Sequence, residues 1–465
     1  MTIHRRPRFP LPSSRFFCRA LGAVGILLAA CALSSPAAAQ VKIYANGDSI
    51  TFGAGSSDGN TKSYAPLLAS MLGSAYTVQR DGVSGATLLK KGTPSYFNTQ
   101  GVVNTIQANP DIITILLGTN DSKPGNWAYR DEFVADYLSL IDTYRALPAA
   151  PDVYPCLPPP AGELPGDIRG SIIANEVIPR ILEAARQRNL PVIDLHTPFL
   201  DTLPSLFPDG IHPNDEGHRI MATRIRDAII SGRALRPVPG TWTRTDVGSV
   251  GNLGADAVDE ASVFYVWGGG TSIGGGTSDA FRFVHQSVSS DFELAARVAV
   301  QRNVDPLVET RDDSAAGVMV REGTGPGARH VSVIATPGSG VSLRWRDAAG
   351  TSGGVTTIST TKQPVWVKLR RVGNTYTGYY SGNGSEWRQI GTPRTLALAD
   401  TQAGLAANSA LADELTQARF EQVQLLRTSS GDPTGGGDSR LRNARRAWAF
   451  DGAGTYRSDY RDESN

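Results

Sequence analysis

The stretch Val41-Lys42-Ile43-Tyr44-Ala45-Asn46-Gly47-Asp48-Ser49-Ile50-Thr51 decides the fold. The apolar run Val41 to Ala45 has the length of a short buried strand, and the chain breaks at Gly47 with a serine just beyond it. In an open parallel α/β sheet, sites lie at the carboxyl ends of strands. A serine there can serve as a nucleophile if a base takes its proton and donors hold the oxyanion.

Outward from this stretch, apolar runs alternate with amphipathic segments. Residues 75–80, 111–117, 152–157 and 191–195 read as further strands. Phe133, Tyr137, Leu140, Tyr144 and Leu147 recur at helical spacing, as do Ile173, Val177, Ile181 and Ala185. A last helix is expected near residues 214–231. This alternation implies βα units, a parallel sheet and helices on both of its faces. Pro155 removes a ladder N–H, which leaves the regularity of the fourth strand open.

The strand ends carry small and polar residues. Gly47-Asp48-Ser49 follows the first, Asp81-Gly82-Val83-Ser84-Gly85-Ala86-Thr87 the second, and Gly118-Thr119-Asn120-Asp121 the third. A later loop holds Pro208-Asp209-Gly210-Ile211-His212-Pro213. In a parallel sheet the first three loops converge on one edge. The chemistry of these residue types fits an ester hydrolase. His212 would take the Ser49 proton and return it to the leaving alcohol. Asp209, three residues earlier, could orient the imidazole. Gly85 N–H, the Asn120 amide and Ser49 N–H would supply three oxyanion donors. Ser84 is a rival nucleophile, and His196 and His218 are rival bases. Asp48 and Asp121 read as loop braces, since no histidine cluster accompanies them to make a metal site. This chemistry needs no metal or organic cofactor.

These four blocks, in this order, resemble the SGNH hydrolases, often called GDSL esterases; Ile50 stands where leucine is usual. The resemblance spans residues 41–231. It implies a flavodoxin-like three-layer α/β/α fold, with Ser49, Gly85, Asn120, Asp209 and His212 in the roles above. The Gly-x-Ser-x-Gly elbow of the α/β-hydrolases is absent around Ser49. The segments 85–92 and 117–127 look like those of a carbohydrate or sialate O-acetylesterase subgroup. Trp127 would there either wall the acyl pocket and stack on sugar, or pack in the core.

After the linker Arg236-Pro237-Val238-Pro239-Gly240 the period changes to two. Phe292, Leu294, Ala296, Val298 and Val300 alternate with other residues. Val331 and Val333, then Val341, Leu343 and Trp345, then Val365, Val367 and Leu369 repeat the pattern. Short alternating strands between glycine-rich turns mean an all-β sandwich over residues 241–427. It resembles a concanavalin-A-like jelly roll of the kind appended to secreted glycan-active enzymes. Trp242, Trp267, Trp345, Trp366 and Trp387 lie here, and exposed ones could stack on sugar. Trp366 is the best surface candidate, because it should point away from Val365 and Val367.

Composition bounds the partners. Lys+Arg 45 against Asp+Glu 44 leaves a formal charge of +1, so no electrostatic footprint for nucleic acid exists. Residues 1–39 read as a signal peptide: a basic start, the apolar run Leu21 to Leu33, and Ala37-Ala38-Ala39 before the cut. Export to the periplasm or beyond is the expectation. Leu28-Ala29-Ala30-Cys31 also resembles a lipobox, which would anchor the protein to a membrane through Cys31. Cleavage after Ala39 leaves Cys156 alone, read as a buried thiol. The tail, residues 428–465, lacks periodicity and reads as disordered. Taken together, the sequence implies an exported serine esterase removing acetyl groups from carbohydrate. The alternatives are a lysophospholipase, thioesterase or arylesterase with the same triad, or an inactive glycan-binding protein.

Overall fold

The computed structural model describes residues 39–164 and 167–428; the leader, with Cys31, and the tail from 429 on lie outside the described residues. The N-terminal part is a mixed α/β domain. Its strands are β1 (Val41–Gly47), β2 (Tyr76–Gly82), β3 (Ile112–Leu116), β4 (Asp152–Leu157) and β5 (Ile193–Asp194). They pair in parallel in the order β2-β1-β3-β4-β5, the flavodoxin-like order. Every residue of β3 is buried, as expected for a strand covered on both faces.

The helices in chain order are α1 (Ser49–Phe52), α2 (Tyr64–Leu72), α3 (Gln100–Ala108), α4 (Pro124–Trp127) and α5 (Phe133–Arg145). They continue with α6 (Gly170–Ile172), α7 (Ile178–Arg188), α8 (Leu203–Leu206) and α9 (Asp215–Ser231). A π turn, Ile173–Val177, joins α6 to α7. Successive strand residues point to opposite faces. Ile113 and Ile115 of β3 accordingly pack with Tyr137, Leu140 and Ile181 on one face. Leu116 and Ala45 pack with Leu68, Met221 and Ile225 of α2 and α9 on the other. α9 starts where Asn214 accepts the Gly217 N–H at 3.1 Å, with Asp215 and Glu216 in its positive first turn. It stops at Gly232, at φ +68°.

Two strands differ from expectation. β4 runs unbroken through Pro155, because the proline sits where β4 changes neighbours: Asp152 to Pro155 pair with β3, Cys156 and Leu157 with β5. β5 is shorter than residues 191–195, because Val192 instead exchanges both backbone bonds with Leu235.

The C-terminal part is a distinct all-β sandwich of an eight-stranded and a seven-stranded sheet. In the first, Asp291–Asn303 shows the expected alternation, with Phe292, Leu294, Ala296 and Val298 turned inward. In the second, His330–Thr336 is buried throughout, so its outer face does not meet water. A second apolar cluster of Ile273, Phe281, Phe283, Met319 and Ile334 covers part of that face. Beside it lies an ionic cluster. Arg346 grips Asp279 with two 2.8 Å bonds, and Arg321 stands 3.4 Å from the same carboxylate; all three side chains are fully buried.

Burial alone would raise the Asp279 carboxyl, but Arg346, His330 and Arg321 together hold it below its ordinary value. Its stabilisation is therefore present above the unfolded carboxyl value of about 4 and lost as pH falls below it. Asp279→Asn should cost about 3–5 kcal/mol, because it leaves two buried guanidiniums uncompensated. Urea unfolding at pH 7 checks this, and a cost under about 1 kcal/mol would show that the cluster is solvated.

The two parts share a core. Leu182, Ala185, Val192 and Leu235 of the α/β domain pack with Ala255, Ala257, Trp267, Val304 and Leu415 of the sandwich. The connecting residues 236–240 are held down: Arg236 exchanges both backbone bonds with Val258, and Val238 is buried.

Candidate active site

Gly47 pairs with Gly82 of β2 and with Leu116 of β3. This register brings the loops after all three strands to one sheet edge, where the strand order reverses. The Asp48 carboxylate caps α1 through the Ile50 N–H at 3.0 Å, which sets Ser49 on the first turn of that helix. Behind it, a Cβ on Gly82 would lie 2.1 Å from Phe52 N, so this turn needs a glycine beside it.

Ser49 Oγ lies 2.8 Å from His212 Nε2, and His212 Nδ1 lies 2.6 Å from Asp209 Oδ2. The tautomer with hydrogen on Nδ1 satisfies both contacts: Nδ1–H donates to the carboxylate and Nε2 accepts from the serine hydroxyl. The other Asp209 oxygen accepts the N–H of Ile211 at 2.9 Å and of His212 at 2.7 Å. Partial burial would raise the Asp209 carboxyl, but these bonds from His212 and Ile211 outweigh it and hold the group below its ordinary value. The carboxylate side chain is 55% exposed and the His212 side chain 22%.

Asn120 is buried and gives one Nδ2 hydrogen to Ala86 O at 3.3 Å, which ties the second loop to the third and leaves the other hydrogen free to donate. Gly85 sits at φ +81°. An added Cβ would meet only Pro94 Cδ, at 3.7 Å, so the left-handed backbone rather than crowding calls for glycine there. Asp121 accepts the N–H groups of Leu88 and Leu89 at 2.9 and 2.8 Å, the bracing role expected of it. Burial pushes Asp121 up to about 7 and Asp48 up to about 6.

The rival residues are placed elsewhere. Ser84 is exposed and outside the Ser49–His212 contact. His218 is buried; its Nδ1 accepts the Tyr64 N–H at 3.3 Å and its Nε2 donates to Ala54 O at 3.0 Å, and burial lowers its pKa. It thus braces the loop after α1. His196 bonds Pro158 O and Val304 O, at the junction with the sandwich. Cys156 is buried, and burial pushes its thiol up, out of nucleophile range. Trp127 is 2% exposed, packs edge-on against Phe133, and donates to Glu176 Oε2 at 3.0 Å. The pocket-wall and sugar-stacking reading of Trp127 is therefore replaced by core packing. Trp366 is half-buried and stands 6.4 Å from Trp387 at 80°; Lys368 Nζ lies over the Trp387 ring at 4.3 Å and over the Tyr379 ring at 5.0 Å.

Sequence reasoning missed the clasp between Ser57 and Asp215. Ser57 N and Oγ both donate to the Asp215 carboxylate at 2.7 Å, tying the loop after α1 to the His212 loop. Gly55 makes the approach possible, since a Cβ there would lie 2.4 Å from Pro213 O. A serine and an acid far apart in sequence give no local signal for such a contact. Among the described residues no group of three or more His, Cys, Asp or Glu side chains could hold a metal ion.

Residues 45–220 match the GDSL-like Lipase/Acylhydrolase family. An acetylxylan esterase of Xylanibacter ruminicola is 35% identical over 214 residues, 42% of this chain and 45% of that protein. The chain thus spans less than half the length of this curated relative. Among solved structures, a Mycobacterium smegmatis (M. smegmatis) aryl esterase is 20% identical, covering 41% of this chain and 99% of its own, at TM-score 0.33. A carbohydrate acetylesterase from Sinorhizobium meliloti is 19% identical over 41% of this chain and 99% of its own, at TM-score 0.34.

Proposed function

We propose, from the premise that residues 45–220 form a GDSL-type serine hydrolase domain, that this protein removes short acyl groups, acetyl above all, from carbohydrate esters. The observation that supports the reading best is the unbroken relay from Ser49 Oγ through His212 to Asp209, with Asn120 and Gly85 on the neighbouring loops. Ser49 Oγ attacks the acyl carbonyl carbon while its proton passes to His212 Nε2. The carbonyl oxygen takes the negative charge and is held by the Ser49 and Gly85 N–H groups and the free Asn120 amide hydrogen. When the tetrahedral species collapses, the sugar oxygen leaves with the His212 proton. Water then repeats the sequence on the acyl-serine: His212 takes its proton, acetate leaves, and Ser49 regains its hydrogen.

The carbohydrate half of the reading is supported by the acetylxylan esterase relative. Export is proposed on the leader read in residues 1–39, and retention near glycan on the half-buried Trp366–Trp387 pair of the sandwich. The test is acetate release from acetylated xylan and other acetylated glycans, set beside a series of aryl esters of increasing acyl length. Acetate should come from at least one glycan, and the aryl ester rate should fall about tenfold or more from acetyl to butyryl. A preference for long acyl chains with no acetate from any glycan would move the substrate to a lipid, thioester or aryl ester.

A further inference from the structure

The π turn Ile173–Val177 lies between the third-loop turn at Asn120–Ser122 and the sandwich strand Leu411–Thr428. π turns inside helices recur at functional sites, since the extra residue spoils regular bonding and must be held by something else. Here the holder is the sandwich. Asn175 is buried; its Oδ1 accepts the Leu415 N–H at 2.7 Å and its Nδ2 donates to Glu414 Oε2 at 2.9 Å. Both partners are consecutive residues of one strand, so a single carboxamide grips the sandwich twice.

The two residues after Asn175 face the other way. Glu176 accepts the Trp127 indole N–H at 3.0 Å, and Trp127 belongs to α4. The neighbouring Asn126 donates to Asn120 O at 2.9 Å. Val177 is fully buried against Gly118: a Cβ on that glycine would lie 2.7 Å from Val177 Cγ1. Gly118, at φ +125°, is the residue at which the chain turns out of β3 toward Asn120. Two physical routes thus run from the π turn to Asn120, one through Gly118 and one through Trp127 and Asn126.

We propose that Asn175 is a positioning residue of the oxyanion site: its grip on Glu414 and Leu415 makes the β-sandwich the fixed wall against which Asn120 is aimed. The proposal rests on the esterase reading for its catalytic consequence but not for its geometry. Losing a whole oxyanion donor costs about 100–1000-fold. A donor displaced but retained should cost less, about tenfold in kcat. KM should hold, because the acyl oxygen makes this bond in the transition state rather than in the ground state.

The test compares three variants of the full chain. Asn175→Leu removes both bonds at similar size. Glu414→Gln keeps an acceptor for the Asn175 amide and serves as the conservative rescue. Glu414→Ala removes one bond and carries the test should Asn175→Leu not fold, as judged by its melting transition. On a short aryl ester, Asn175→Leu should lose about tenfold in kcat at unchanged KM, and a boronic acid that forms a tetrahedral adduct on Ser49 should weaken by the same factor; Glu414→Gln should match the parent. Selective labelling of asparagine with ¹⁵N reads the geometry directly, the Asn120 side-chain amide being identified by its loss in Asn120→Asp. That resonance should shift in Asn175→Leu and stay in Glu414→Gln. A folded Asn175→Leu with the Asn120 resonance unmoved, or with kcat within twofold of the parent, overturns the proposal. A parent inactive on every ester overturns the esterase reading instead, and the resonance still decides the inference.

Discussion

Ser49→Ala is expected to lower kcat on a short ester by about a million-fold, the loss seen when a triad serine is removed while its partners remain. The expectation follows from the 2.8 Å contact to His212, which gives the hydroxyl a base already in place. Cys156 is buried, and Ser84 lies outside that contact, so neither can replace the nucleophile. KM should change little, since Oγ bonds the substrate only after the ground state. The residual rate should not depend on His212, because a base without its nucleophile gives no more than water would. Stopped-flow and long-time assays of acetate release check this. A variant retaining more than about a hundredth of the parent rate would remove Ser49 from the mechanism.

Asp209→Asn has the second-largest expected effect. The asparagine amide would face His212 Nδ1 and favour the tautomer with hydrogen on Nε2, which cannot accept the serine proton. In a buried triad that change costs about ten-thousand-fold in kcat. Here the acid is more than half exposed, so water can stabilise part of the imidazolium charge, and a loss nearer a thousand-fold is expected. Asp209 is available as a carboxylate at neutral pH in the parent, because its carboxyl lies below its ordinary value. A loss under tenfold in the variant would mean that Asp209 holds the loop and nothing more.

Much of the α/β domain was legible because each signal is local. β1, β3 and β4 are apolar runs of strand length, and α9 announces itself by Asn214, its first-turn acids and Gly232. The candidate residues Ser49, Gly85, Asn120, Asp209 and His212 were legible as chemistry on loops. That they meet depends on the strand register at Gly47, which no local pattern carries. Trp127 stayed open in the sequence because an indole serves a pocket wall and a core equally well; its partner Glu176 lies 49 residues further along the chain, in the π turn. The burial of the outer face of the seven-stranded sheet had no local signal. Arg321, His330 and Arg346 look like surface residues, and only Asp279, brought from a distant loop, lets the guanidiniums be buried. Asn175 and His196 were unreadable for the same reason, because their partners Leu415 and Val304 belong to the other domain.

The apolar cluster that Leu182, Val192 and Leu235 share with Ala255, Trp267 and Leu415 bears on how such chains can be recombined. A binding module on a loose tether can be exchanged as a cassette, because its boundary crosses no packed surface. A boundary drawn at residues 236–240 in this chain would open a dry interior and strip the ladder from Arg236 and Val258. Grafting this sandwich onto a different hydrolase would demand matching small and large side chains along α7 as well as a compatible peptide link. A duplication that copied one half without the other would leave an exposed apolar face on each piece.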